Sequence, residues 1–382
     1  MRIVVSLLNY RPGLIGGAET YLQGLIPALA RVRGADELLL LSHRENAGRI
    51  AAEGAEEVVV DRSARGVIAA RALEAFTPYR ARFAERALEA AKPDVAFFPQ
   101  QSIFPKCPEV PCLLTVHDVQ HLLLPRNISW ADRCFRWAIY PWSLRRADRI
   151  IAISEFTKRT LVTHCQVDPN RVVAIPHGLQ RVDSKSPTAI FTESLGRYVY
   201  YPAATWPHKN HEVLLRTVAA LRAEGRLDFW LVLSGKQTSH WPRLRRLIQR
   251  LDLADRVVHE GFVSRERVAQ LYHGAEAVVL PSQFEGFGLP VLEAVAFGRR
   301  VITSRLAVFD EVGLPAANQI DFTQPDQLLE AMRLPVPTVL THPPQTWDDC
   351  ARATLEVLRG MGHRGAGQGV PKCISCWTNT CL

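Results

Sequence analysis

Between Ala277 and Ala296 a short aliphatic run, a glycine-bearing loop and a helix-patterned segment follow one another. This order constrains the fold more than any other feature of the chain. Ala277, Val278, Val279 and Leu280 form a strand signal; Pro281–Glu293, read as PSQFEGFGLPVLE, carries Gly286 and Gly288; and Leu289, Leu292, Val295 and Ala296 recur at helical spacing. A strand feeding a helix through glycines belongs to a parallel α/β sheet. Glycines lack a Cβ and let a ligand approach the main chain. The first helical turn adds unpaired N–H groups in a positive dipole field, which suits a phosphate or a ring of sugar hydroxyls. Two carboxylates flank this start. Glu285 precedes the helix and can accept hydrogen bonds from hydroxyls held over the loop, whereas Glu293, a turn inside, can accept from a vicinal diol such as ribose. Taken alone, the spacing fits equally well two solvated charges beside a helix.

With seven residues between Glu285 and Glu293, the segment resembles the glutamate signature of retaining nucleotide-sugar glycosyltransferases of family 4. The resemblance implies an α/β protein in which two Rossmann-like parallel-sheet domains face a central cleft, the B-type glycosyltransferase fold. It also implies that Glu285 contacts the transferred sugar, and that Gly286, Phe287, Gly288, Leu289 and Glu293 bind the donor.

Other segments carry the same resemblance in the same order. Arg2 to Leu8 reads as a buried strand, Asn9 to Gly17 as a loop with Gly13, Gly16 and Gly17, and Ala18 onward as a helix with Tyr21, Leu22, Leu25 and Leu29 on one face. The run GLIGG lacks the spacing of a dinucleotide fingerprint. It is similar to the family's N-terminal glycine loop, which implies that Gly16 and Gly17 face the donor diphosphate and the acceptor; a plain tight turn is the alternative. Strand signals follow at Leu38–Leu41, Val58–Val60, Val95–Phe98 and Leu113–Val116, the last leading into His117-Asp118 at the carboxyl end, where such sheets bind ligands. His117 matches the family's active-site histidine, which contacts the transferred sugar; a hydrogen-bonded structural histidine is the other reading. Arg149–Ile153 is a further strand, Ser154 a helix cap, and IIAISEFTKRTL and VVAIPHGL resemble family landmarks. Periodicity is lost over 180–196, which we read as the interdomain linker.

A second domain begins at the strand Tyr198–Tyr201, followed by PAATWPHKNH and a helix from about Glu212. Lys209, at the helix entrance, can meet a diphosphate, and Asn210 can cap the helix. The family usually places an arginine five positions before this lysine; here that position is Ala204. A protonated His208 is the nearest substitute. The wording of this segment resembles a subgroup of sugar-polymer enzymes, many of them mannosyltransferases. The strand Phe229–Leu233 ends at Ser234-Gly235-Lys236, and Trp230 and Gln237 exclude a phosphate-loop NTPase. Lys236 is either a second diphosphate contact or a solvated lysine. Arg256–Val258, Gly261, Phe262 and Val263 fall where the family's backbone meets the nucleobase, and Ser264 caps the next helix. A strand at Arg300–Thr303, a helix at Pro325–Met332, a proline-rich stretch and a helix at Trp347–Leu358 complete the pattern; the last resembles the helix that crosses back to the first domain.

The expected domains are therefore 1–185, completed by 345–358, on the acceptor side, and 197–344 on the donor side. A flexible tail is expected over 360–382. A chain of 382 residues, 47% hydrophobic, supplies apolar material for two cores. It has no apolar run of membrane-spanning length, and its N-terminus enters a strand, so a cytoplasmic protein is expected. Eight cysteines make no disulfide framework in so long a chain, and Cys373, Cys376 and Cys381 with His363 make a poor zinc site. The net charge of +8 is concentrated before residue 190. Arg133, Arg136, Arg145 and Arg146 gather there with Trp130, Trp137 and Trp142, a group suited either to an anionic membrane surface or a lipid-linked diphosphate, or to a solvated face over packed aromatics. No nucleic-acid module accompanies the charge.

The implied reaction moves a hexose, foremost mannose from GDP-mannose, to a hydroxyl of a lipid-linked or polysaccharide acceptor in cell-surface glycan synthesis, with no cofactor and no metal. Three alternatives stand beside it: a nucleotide-sugar-binding protein of the same fold without transferase activity, a UDP-sugar-dependent enzyme, and an enzyme that cleaves or epimerises nucleotide sugars.

Overall fold

Successive residues of a strand point to opposite faces. In β1 (Arg2–Ser6) both faces are buried, Ile3 and Val5 in one apolar cluster and Val4 in another. A sheet covered on both sides is the setting for parallel strands. The computed structural model, which describes residues 1–13, 16–106, 109–179 and 196–362, contains two such sheets.

The first comprises β1, β2 (Glu37–His43), β3 (Glu56–Val60), β4 (Val95–Phe98), β5 (Cys112–Val116), β6 (Arg149–Ala152) and β7 (Val172–Ala174), in the order β3-β2-β1-β4-β5-β6-β7. The second comprises β8 (Tyr198–Pro202), β9 (Trp230–Ser234), β10 (Val257–His259), β11 (Ala277–Leu280), β12 (Arg300–Ser304) and β13 (Gln319–Ile320), in the order β10-β9-β8-β11-β12-β13. All pairings are parallel. Each sheet reverses its winding once, between β1 and β4 and between β8 and β11. Loops leaving the carboxyl ends at such a reversal diverge and open a crevice.

The last helix, Trp347–Gly362, packs against the first, Gly17–Val32, burying Cys350, Ala351, Leu355 and Leu358 beside Leu22, Leu25 and Ile26. Gly24 permits this crossing, because a Cβ there would lie inside the Trp347 indole. Arg31 to Asp348 (2.6 Å) and Arg359 to Asp36 (2.8 Å) flank the contact.

Several boundaries differ from the sequence reading. β1 stops at Ser6 rather than Leu8, and β9 and β10 each start one residue later than expected. Asn210 does not cap its helix: it takes a left-handed conformation (φ 56°, ψ 38°) closing the 3-10 turn Pro207–Lys209, and its side chain makes no capping bond. Ser154 and Ser264 do cap, accepting from Thr157 N (3.0 Å) and Arg267 N (3.2 Å). Most of the 180–196 linker and the tail beyond Gly362, with its cysteines and His363, lie outside the described residues.

Candidate active site

Because β8 and β11 are neighbours at the reversal of the second sheet, the loops that follow them meet, and Lys209 and Glu285 face each other. The Lys209 ammonium donates to both Glu285 oxygens, at 2.7 and 2.8 Å. Ser282 Oγ donates to the same carboxylate at 2.6 Å, and Tyr201 OH donates to the Lys209 carbonyl at 2.6 Å, so the glutamate side chain and the lysine backbone are both held. The side chains are 19% and 9% exposed. Sequence assigned the lysine to a diphosphate and the glutamate to a sugar. The structure joins them in one ion pair.

Glu293 lies in the helix Leu289–Ala296 and accepts a 2.7 Å hydrogen bond from Tyr272 OH. Burial pushes its carboxyl above the usual range, against smaller opposing effects of that bond and of Arg265. Gly288, at φ +96°, opens this helix without a side-chain cap. Phe287 and Leu289 are buried in the core, so only their main chain can serve a ligand.

Gly286 is the joint between the domains. Its carbonyl accepts from Ser154 Oγ (2.7 Å) and Thr157 Oγ1 (3.3 Å) of the first domain, and a Cβ on Gly286 would collide with the His117 carbonyl. The Glu311 carboxylate accepts from the amides of Glu155 and Phe156, the latter at 2.9 Å, and so caps a helix of the opposite domain. His117 thus stands against the glycine loop. Its Nε2 bonds the Pro99 carbonyl at 2.9 Å, which makes that nitrogen the donor and leaves Nδ1 as the acceptor. Burial holds the ring's pKa down.

His208 is corrected by the structure. Burial, reinforced by the charges of Lys209 and Arg136, lowers its pKa to about 3, so it is neutral and is no substitute for the arginine missing at Ala204. Lys236 follows β9, where Gly235 packs directly against the Ala203–Ala204 peptide. Its carbonyl accepts from Thr205 N at 3.0 Å, and its ammonium has no partner among the described residues. Val263 is half-buried against the core of the second domain. Gly16 (φ +57°) and Gly17 begin the first helix exposed, with open space where a Cβ would stand.

The arginine- and tryptophan-rich segment is the helix Trp130–Arg146. Trp130 and Trp137 are 77% and 51% exposed, and Arg133 lies over the Trp137 ring. Arg136 points elsewhere, with its guanidinium 3.8 Å from Asp118 and its charge felt at His208. It belongs to the cleft, not to an outer docking face. Sequence reasoning missed Tyr272, Ser282 and Glu311, whose roles depend wholly on partners distant in the chain.

Residues 15–181 match the model of Glycosyltransferase Family 4, and residues 191–334 match that of Glycosyl transferases group 1. An O-antigen chain mannosyltransferase of Salmonella typhimurium is 27% identical over 201 residues, covering 52% of this chain and 53% of that protein. O-antigen chain mannosyltransferase B of Escherichia coli is 35% identical over 115 residues, 30% of each chain. These alignments span about half the relatives' length or less. Among solved structures, Anabaena HepE in complex with UDP and glucose superposes with a TM-score of 0.64 at 17% identity, covering 94% of this chain and 100% of that one. WaaG, a glycosyltransferase involved in lipopolysaccharide biosynthesis, gives 0.63 at 16%, covering 96% and 100%. With both family models in sequence order, one for each parallel sheet, the chain belongs to the family 4 glycosyltransferases and has their B-type fold.

Proposed function

We propose that this glycosyltransferase moves a hexose, mannose from GDP-mannose, to a hydroxyl of a lipid-linked or polysaccharide acceptor, with retention at the anomeric carbon. The observation that carries the reading is the Lys209–Glu285 pair at the β8/β11 crevice, beside the uncapped start of the Glu293 helix. Departure of a nucleoside diphosphate needs its charge stabilised above all. Lys209, Lys236 and the amides at Gly288 and Leu289 answer that need, and no metal is required. A diphosphate drawing Lys209 towards itself would free Glu285 for a sugar hydroxyl, coupling donor arrival to readiness of the carboxylate. Glu293 takes the ribose, and neutral His117 offers Nδ1 to the sugar. The choice of mannose is supported by the mannosyltransferase relatives. Exposed Trp130 and Trp137, with half-buried Arg133 over the Trp137 ring, support peripheral contact with the cytoplasmic membrane face, where the acceptor resides.

The test is a calorimetric screen of GDP-mannose, UDP-glucose and UDP-N-acetylglucosamine, followed by transfer from the tightest donor in the presence of EDTA and proton NMR of the product anomer. Preference for GDP-mannose with an α-linked product supports the proposal. Tighter binding of a UDP-sugar would replace the donor, and donor hydrolysis or epimerisation without transfer would replace the reaction.

A further inference from the structure

The reversal of the first sheet, between β1 and β4, holds a second group of chemistry-bearing side chains that the donor reading leaves unused. Asn9 and Arg11 follow β1, and Gln100 and Ser102 follow β4. Arg71 reaches in from the helix Ala64–Phe76 and donates through Nη2 to Ser102 Oγ at 2.5 Å, while its guanidinium lies 4.8 Å above the Phe135 ring. Asn9 Nδ2 donates to the Ser102 carbonyl at 3.4 Å. Arg136 stands beside Asp118 at 3.8 Å and over Tyr140, whose ring meets that of His121 edge-on.

Charge in this place is not balanced. Among the described residues Arg11 and Arg71 have no ion pair, and the ion pair of Arg136 is with Asp118 at 3.8 Å. Burial together with repulsion from Arg11 and Arg136 holds even the Arg71 guanidinium down, to a pKa of about 10. Buried polar atoms are left open as well: among the described residues Asn9 Oδ1, Arg71 Nε, Gln100 Oε1 and His121 Nδ1 have no hydrogen-bond partner, and Gln100 and His121 are only 7% and 5% exposed. Uncompensated buried cations are costly unless an anion meets them. Three arginines with one ion pair among them favour an anionic group, and guanidinium forks bind phosphate oxygens in pairs. The place also suits a ligand, since crevices outside a sheet reversal are where α/β folds bind them. Through Asp118 it adjoins His117 and the donor cleft.

We propose that Arg11, Arg71 and Arg136 bind a phosphate group carried by the acceptor. This rests on the glycosyltransferase reading above, with the first domain on the acceptor side, and narrows the acceptor to a phosphate ester or diphosphate whose hydroxyl is presented to the sugar at Glu285.

The test keeps the donor side filled. With GDP at saturation, the protein is titrated in a calorimeter with inorganic pyrophosphate and, separately, with farnesyl diphosphate. One additional anion site per chain is expected, weakened at least tenfold in Arg11→Ala and in Arg71→Lys, with GDP affinity unchanged in both. Arg11 lies in a half-exposed loop, so its variant reads the site even if the buried Arg71 tolerates no change. Farnesyl diphosphate binding at least tenfold more tightly than pyrophosphate identifies a lipid-linked source, and equal binding a soluble phosphate ester. Absence of the second site, or equal affinity in wild type and both variants, overturns the proposal. Failure of GDP to bind would instead strike the donor assignment, and the effect of the arginine variants on pyrophosphate would still decide this site alone.

Discussion

Replacing Lys209 with methionine keeps most of its volume and removes the charge that faces Glu285. In the wild type the ammonium touches both carboxylate oxygens, 2.7 and 2.8 Å away, and the two side chains are 19% and 9% exposed. Removing one member of a buried pair costs about 3–5 kcal/mol, because the other charge stays buried without compensation. The Ser282 hydroxyl still donates to Glu285 at 2.6 Å, and a hydrogen bond to a charged group contributes about 1.5–3 kcal/mol, so the low end applies, about 3 kcal/mol. Glu285→Gln in the same chain removes the stranded charge and keeps an acceptor for Ser282. The double variant should therefore recover roughly 2 kcal/mol relative to the sum of the singles. Urea unfolding of the four proteins, followed by tryptophan fluorescence at pH 7.5, measures this coupling. Single substitutions costing below about 1 kcal/mol, or effects that add within about 0.5 kcal/mol, would refute the buried pair.

Three further outcomes follow from the same geometry. Glu285→Ala should abolish transfer while GDP still binds, at least as tightly because Lys209 is released from the carboxylate, and near wild-type turnover would remove Glu285 from the sugar. His121, His208 and His211 are held neutral by burial, with pKa values of about 4, 3 and 3 against 6.5. As pH falls below 6.5 the unfolded chain takes up protons that the fold refuses, so stability is lost, by about 1.4 kcal/mol per histidine at pH 5.5; a urea midpoint that stays flat from pH 7.5 to 5.5 would contradict this. Trp130→Ala with Trp137→Ala should reduce co-sedimentation with anionic vesicles, and unchanged partitioning would return that face to solvent.

Local signals carried the fold because its strands are short aliphatic runs ended by glycine or a polar pair. The runs at β4, β5 and β11 are buried throughout, and the Ala277–Ala296 unit needs no distant partner to be recognised. β7 and β13, three and two residues long, offer no periodicity to detect. Within the site, residue identity pointed to Lys209, Glu285 and Glu293, but not to how they pair. That Lys209 and Glu285 meet depends on β8 lying next to β11, a fact of sheet order. The neutrality of His208 depends on burial and on Arg136 from the other domain, and the carbonyl of Gly286 is held by Ser154 and Thr157, which sequence marked only as a helix start. Asn210 failed as a cap because Asn tolerates the left-handed conformation that the preceding turn required.

Glu293 offers the most direct test of the donor site, because its proposed partner is the nucleotide rather than the sugar. Calorimetric titration of GDP into wild type and Glu293→Gln at pH 7.5 should show one saturable site per chain, weakened in the variant by about tenfold, or about 1.4 kcal/mol. Because the folded-state carboxyl is raised, the wild-type affinity should also fall as pH drops towards the acid range, and the variant should lose that fall. Equal GDP affinity in the two proteins at every pH would contradict the placement of the nucleotide over the Leu289–Ala296 helix.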